Sequence, residues 1–239
     1  MKFLPLFHLA IGLAFSTFTN PTFATDLNQL TPEEQAAGWT LLFDGKTLQG
    51  WHPLKKLHLP TEGWKVQDGT IFHGKAAGGG DILTTNLYTD FEVVWEWKIG
   101  QAGNSGLKYN LPDPDDNLGF EYQLIDDQHH PDALRGGRSH QTAALYDLIE
   151  PSEDRRVQPA GEWNQSRLLV RGNHVEHWLN GTKVVEFTMS SDEIKAKIAK
   201  SKYKKFNRFG VKTASPILLQ DHGDEVAFRN LKVRQLATP

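Results

Sequence analysis

Glu121 and Gln123 stand two apart in Phe120-Glu121-Tyr122-Gln123-Leu124-Ile125. On a strand that spacing turns both side chains to one face, and Tyr122 and Leu124 to the other. A carboxyl and an amide aimed together from a strand suit a groove, because an unpartnered glutamate is costly in a core. Asp126 has the opposite parity and joins them only if the strand bulges. His222, in Asp221-His222-Gly223, offers an imidazole that can serve as acid or base. Its neighbours fit a turn that presents a side chain at a sheet edge. Lys108 could steady developing negative charge, and a divalent metal held by Glu121 and a histidine could do the same. Each has a plainer reading: Glu121 as the partner of an arginine, His222 as a turn cap, Lys108 as a solvated strand lysine.

Further candidates are polar or aromatic. Asn104, in Gly103-Asn104-Ser105-Gly106, could lie in the groove or merely build a turn, and Gln220 and Tyr109 are taken as substrate-binding candidates. Trp163, at a loop-to-strand junction, is the tryptophan expected to stack on a ligand; Trp95 and Trp97 follow an apolar period and are expected in the core. His129 and His130 are adjacent, so on an extended chain they diverge and form a poor metal pair. His174 and His177 would face opposite sides of a strand. Gly78-Gly79-Gly80 lacks the strand-to-helix setting of a phosphate loop and reads as a flexible turn.

The elements that must position these residues are mostly strands. Thr31-Pro32-Glu33-Glu34 opens a short helix ending near Gly38. A strand is expected at 39–43, and a hairpin turns at Asp68-Gly69 between 64–67 and 70–73. Phe91–Ile99 alternates, with Phe91, Val93, Trp95, Trp97 and Ile99 on one face. Strands follow at 107–110 and Phe120–Ile125, then a meander of 167–171, His174–Leu179 and 183–187 through Gly172-Asn173 and Asn180-Gly181. Ser190-x-x-Glu193 can cap a second helix with Ile194 and Ile198 on one stripe, and strands are expected at 206–213, 217–220 and 225–236. The pattern predicts an all-β, two-sheet antiparallel jelly-roll sandwich with two short peripheral helices. The longest irregular stretch, 126–157, is the kind of loop that carries function on a rigid sandwich.

Composition narrows the partners. With 26 Lys+Arg against 29 Asp+Glu, no strong positive field exists for nucleic acid or an anionic membrane. The absence of cysteine excludes disulfides, thiolate metal sites and cysteine nucleophiles. Residues 1–24 read as a cleaved secretory signal: Lys2, an apolar run, then Thr22-Phe23-Ala24. The expected product is an exported, periplasmic or extracellular single domain, 25–239, with no membrane anchor. Nothing in the sequence sets its oligomeric state.

Eight motifs in series carry a resemblance. They run from Gly38-Trp39 through Phe43-Asp44-Gly45-Lys46 to Gly50-Trp51, then Asp90-Phe91-Glu92 with Glu96-Trp97-Lys98, Gly103-Asn104-Ser105-Gly106 and Phe120 to Asp126. Gly161-Glu162-Trp163-Asn164, Trp178-Leu179-Asn180-Gly181 and Leu219-Gln220-Asp221-His222-Gly223 follow, leading to Phe228-Arg229-Asn230-Leu231. In this the chain resembles the 3-keto-disaccharide hydrolase family, which implies a concanavalin A-like jelly roll with a sugar groove. The helical stretch 192–202 departs from that pattern and reads as an insertion on the groove's rim. Laminarinase-type enzymes space their acids as Glu-x-Asp-x-x-Glu, and here Gln123 cannot ionise, which argues against ordinary two-carboxyl glycoside hydrolysis unless Asp126 is the second acid. The resemblance implies instead a 3-keto sugar, whose ketone acidifies the carbon-2 proton and permits elimination at carbon 1, then hydration. Glu121 and His222 would do the acid–base work, with Lys108 and Gln123 around the ketone. A lyase that stops at the unsaturated ketone, or a lectin-like binding module, are the alternatives.

Overall fold

The computed structural model describes residues 27–113 and 115–238; the expected leader lies outside the described residues. Thr31 starts the first helix, α1 (Pro32–Ala36), through a complete capping box: its hydroxyl accepts from Glu34 N at 3.2 Å and the Glu34 carboxylate accepts from Thr31 N at 3.1 Å. Asp68 and Gly69 both take positive φ, the requirement of a tight hairpin turn. They join β3 (Trp64–Gln67) to β4 (Thr70–His73) as expected. Asn180 and Gly181 do the same between β10 (His174–Leu179) and β11 (Thr182–Thr188).

Among the described residues, thirteen strands form two sheets, and the pairings between named strands are all antiparallel. The larger, eight-stranded sheet runs β11-β10-β9-β6-β13-β4-β3, where β6 is Phe91–Ile99, β9 Asn164–Arg171 and β13 Val226–Gln235; β1 (Thr40–Leu41) also pairs with β13. The smaller runs β2-β5-β12-β7-β8: Trp51–Pro53, Ile82–Thr84, Leu218–Leu219, Asn104–Tyr109 and Phe120–Ile125. This is the expected two-sheet sandwich of jelly-roll type. Its core lies between the sheets, where the alternating faces meet: Val93, Trp95 and Trp97 from one side, Leu107, Tyr109, Tyr122 and Leu124 from the other, all fully buried. Tyr109, a substrate-binding candidate from sequence, belongs to this core: its hydroxyl meets His177 Nε2 at 2.8 Å between the sheets. Its odd parity on β7 turns it inward, away from any ligand.

Several elements differ from expectation. Residues 206–213 are turns, because Phe209 stacks on Tyr203 at 4.0 Å and packs edge-on to Phe120, so aromatic contact rather than a ladder places them. The three-residue strands β2 and β5 were too short to show a period. A third helix, α2 (Pro131–Arg135), sits inside the 126–157 loop, capped by His130, and two 3-10 turns occupy Arg138–His140 and Lys202–Lys205. Ser191, not Ser190, caps α3 (Asp192–Lys200), accepting from Ile194 N at 3.3 Å. Among the described residues, no helix is long and apolar enough to cross a membrane.

Candidate active site

The outward face of β7 and β8 carries the residues singled out from sequence. Lys108 lies opposite Glu121 and Gly106 opposite Gln123 in an unbroken register. Gln220 follows β12, its backbone N–H donating to Gly106 O at 2.9 Å. With the Gln220 amide oriented to suit both neighbours, its nitrogen donates to Glu121 Oε1 and its oxygen accepts from Lys108 Nζ, each at 3.3 Å. Lys108 Nζ also lies 3.9 Å from Glu121 Oε2 and donates to Asn117 O at 3.2 Å. These groups line a cleft of about 190 Å³ that further takes in Asn104, Gln123, Tyr146, Lys202, Tyr203 and His222. That is roughly six times the liquid volume of one water molecule, room for a small polar ring.

Gly106 makes the carboxyl's position possible. A Cβ there would stand 2.7 Å from Glu121 Oε1 and 3.1 Å from its Cγ. Gly106→Ala is therefore expected to push the carboxyl aside and lower turnover by about 10²-fold with the fold retained, since a displacement near 1 Å costs that much. Steady-state kinetics beside a thermal melt would check it. The loss would vanish if Glu121 had no part in the reaction.

His222 is placed by the turn around it. Asp221 accepts from Gly223 N at 2.8 Å and from Gly80 N at 3.0 Å, and its own N–H donates to Asp81 Oδ1 at 2.8 Å. The glycine run 78–80 supports this turn by close packing. A Cβ on Gly79 would lie 2.3 Å from Glu62 O, so the run is a tight crossing of two loops where a flexible turn was expected. The His222 ring is half-exposed, with Nε2 3.3 Å from Asn104 Nδ2 and Nδ1 3.7 Å from Asp224 Oδ2.

Electrostatics set the site apart from a solvated strand surface. Burial raises the Glu121 pKa above the usual carboxylate range, against the pull of the Lys108 and Lys202 ammonium groups. Burial also raises Asp81, beneath Lys108, and lowers Lys202. Tyr146 is raised by burial and by the Asp132 carboxylate, to which its hydroxyl donates at 2.9 Å.

Besides Tyr109, two sequence candidates lie outside the cleft. Asp126 follows β8 without a bulge; it accepts from Ala102 N at 2.9 Å and Gln128 N at 3.0 Å and pairs with His129 at 2.8 Å. Those bonds hold it below the ordinary carboxylate range against the opposing effect of burial, as a loop anchor outside the cleft. Trp163 packs on the outside of the larger sheet, where the Arg229 guanidinium lies 3.9 Å from its ring and Lys98 Nζ 5.2 Å. Its indole face is already covered by cations. Conversely, sequence reasoning missed Tyr146, Lys202 and Tyr203 as individuals; the long loop that bears Tyr146 and the stretch 192–202 that ends at Lys202 stood out, and Tyr203 lay just beyond it. It also passed over His130. That ring leaves His129 behind and faces His222, so His130, His222 and Asp224 bring three ligand atoms within 4.8 Å of one another. Asp224 Oδ2 is steadied by the Asn104 N–H at 3.1 Å. These three, rather than Glu121 with a histidine, could hold a divalent cation by their donor types. A second cluster, His174, Glu176 and Glu186, lies where Lys183 already supplies the positive charge.

Comparison with known proteins bears on what such a cleft does. The sequence model of the 3-keto-alpha-glucoside-1,2-lyase-like domain matches residues 38–234. The chain belongs to that family. A 3-keto-disaccharide hydrolase of Bacteroides thetaiotaomicron is 32% identical over 89% of this chain and 83% of its own length. A crystal structure of a proposed glycosyl hydrolase from Parabacteroides distasonis superposes with a TM-score of 0.79 at 38% identity, covering 88% of this chain and all of that one. A second from the same organism gives 0.64 at 27% identity, covering 83% and 99%. Family membership places the chain among enzymes that cleave glycosidic bonds, in agreement with the motif series.

Proposed function

We propose that the protein is an exported enzyme that cleaves 3-keto-disaccharides or related 3-keto-glycosides by elimination followed by hydration. The observation that carries this reading is the buried Glu121 carboxyl, its pKa raised by burial, bracketed by Lys108 and Gln220 in a small polar cleft. A carboxyl tuned upward can take a proton from a carbon acid near neutral pH. The ketone at carbon 3 acidifies the carbon-2 proton; Glu121 removes it, and Lys108 and Gln123 steady the oxygen that gains charge. The carbon 1–oxygen bond then breaks, and His222 protonates the departing oxygen. Addition of water across the new double bond completes a net hydrolysis. Gln123 in place of a second acid on β8 weighs against a conventional two-carboxyl mechanism. The apolar leader supports the exported address.

The test is direct. Purified protein is mixed with a 3-keto-disaccharide and, separately, with its unoxidised parent, each with and without a chelator, and products are followed by mass spectrometry and NMR. Cleavage of the keto sugar alone is expected. Equal cleavage of both sugars, or saturable binding without turnover, would overturn the reading. Accumulation of an unsaturated ketone would mean the reaction stops at the lyase stage. A loss of rate with chelator, restored by a divalent metal, would assign His130, His222 and Asp224 as its ligands in place of an acid role for His222.

A further inference from the structure

We propose that Lys202 contacts the substrate and takes up the negative charge formed on the ketone oxygen, a role that rests on the elimination chemistry above. The residue stands at the start of the 3-10 turn Lys202–Lys205 that follows α3. Its position is fixed at both ends. The backbone N–H donates to Asp147 Oδ2 at 3.1 Å. The ammonium lies 4.1 Å from the Tyr146 ring and 5.1 Å from the Tyr203 ring, two aromatic faces that attract a cation.

What distinguishes Lys202 from Lys108 is what it lacks. Lys108 Nζ donates to Asn117 O, meets the Gln220 amide oxygen and lies 3.9 Å from the Glu121 carboxylate, so it is largely committed to protein acceptors. Among the described residues, no carboxylate lies within 4.0 Å of Lys202 Nζ and none accepts a hydrogen bond from it. Three ammonium N–H donors thus line the cleft without an acceptor. A cation with uncommitted donors gains most when an oxygen that becomes anionic enters beside it. Both lysines line the cleft that holds the Glu121 carboxyl.

The charge balance is complete with these groups. The base takes the proton from carbon 2, and the C–H electron pair moves through carbon 3 onto the ketone oxygen, giving an enolate that Lys202 stabilises together with Lys108 and Gln123. The pair then returns to form the carbon 1–carbon 2 double bond as the carbon 1–oxygen bond breaks. The departing oxygen receives a proton from the acid, and Lys202 remains protonated throughout.

Wild type, Lys202→Met and Lys202→Arg are compared on one 3-keto-disaccharide in deuterated water. NMR follows exchange of the carbon-2 proton and release of the second sugar separately. Lys202→Met is expected to slow both by about 10²–10³-fold, the usual effect of removing one oxyanion donor, with KM nearly unchanged. Lys202→Arg, which keeps the charge, is expected to recover a large part of the loss. Wild-type rates in Lys202→Met would overturn the proposal, as would loss of release with exchange intact, because the charge forms in the exchange step. Should Lys202→Met fail to fold, Lys202→Gln takes its place in the same comparison. A wild type that neither exchanges nor cleaves the keto sugar would instead remove the elimination reading, and this proposal with it. Wild-type turnover with an indifferent Lys202 removes this proposal alone.

Discussion

Glu121→Gln is expected to lower turnover of a 3-keto-disaccharide by about 10²–10⁴-fold, the range for losing one acid–base group, while the protein stays folded. The substitution keeps the shape of the side chain and its place beside Gly106, and removes only the ionisable oxygen. Glu121 is buried, and burial raises its pKa above the ordinary 4.5 despite Lys108 and Lys202. A carboxyl raised on folding binds its proton more tightly in the native chain than in the unfolded one. Its contribution to stability is therefore greatest at low pH and declines as pH rises above the ordinary value, through the raised one. It follows that Glu121→Gln should match or exceed the wild type in thermal stability at pH 7–8, with the difference closing in acid. Inactivity joined to undiminished stability is the pattern of a residue kept for chemistry. Denaturant melts at several pH values, beside kcat and KM, would check both halves. A destabilised variant with full activity would make Glu121 the structural partner of Lys108 and nothing more.

That pairing of chemistry and placement was partly legible in the sequence. The parity of Glu121 and Gln123 against Tyr122 and Leu124 followed from strand geometry alone, whereas Asp126 stayed a catalytic candidate because a bulge, which the unbroken register of β7 and β8 rules out, is not legible in sequence. Tight turns at Asp68-Gly69 and Asn180-Gly181 were readable because few residues tolerate their backbone. Trp163 and Tyr109 went the other way for one reason: an aromatic side chain satisfies a core, a cation or a ligand equally well, and sequence does not say which partner arrives. Arg229 reaches Trp163 from β13, and His177 reaches Tyr109 from β10, both far away in the chain. Lys202 and His130 enter the cleft's surroundings from the two least regular segments, where no period announces the direction of a side chain. The long loop and the insertion were visible as places; their individual residues acquired roles only once β7, β8 and β12 supplied a common floor.

Acid is expected to destabilise the fold through His177 as well as through its carboxylates, by up to about 3 kcal/mol between neutrality and the pH where that ring finally protonates. The ring lies fully buried between the sheets, with Nδ1 3.1 Å from Ala143 O and Nε2 2.8 Å from the Tyr109 hydroxyl. A carbonyl can only accept, so Nδ1 carries the hydrogen and Nε2 accepts from Tyr109. The rings around it, Tyr109, Tyr122 and Phe187, offer no negative charge, and burial holds the pKa down at about 4 in spite of the Ala143 carbonyl. The unfolded chain takes up the proton near 6.5, so stability is complete above that value and is lost as pH falls through the window toward 4. His130, lowered by burial, acts in the same direction, whereas the raised Glu121 acts in the opposite one. NMR should find one histidine ring neutral throughout the folded pH range, while denaturant melts lose stability below pH 6.5. A His177 ring that titrates near 6.5 in the folded protein would contradict the assignment. The effect reaches the site because Ala143 N donates to Gln123 O and Gln123 N to Ala144 O, while Tyr146 N donates to Glu121 O. One buried neutral imidazole thus ties the loop that bears Tyr146 to the strand that bears Glu121, and protonating it loosens the cleft wall from beneath.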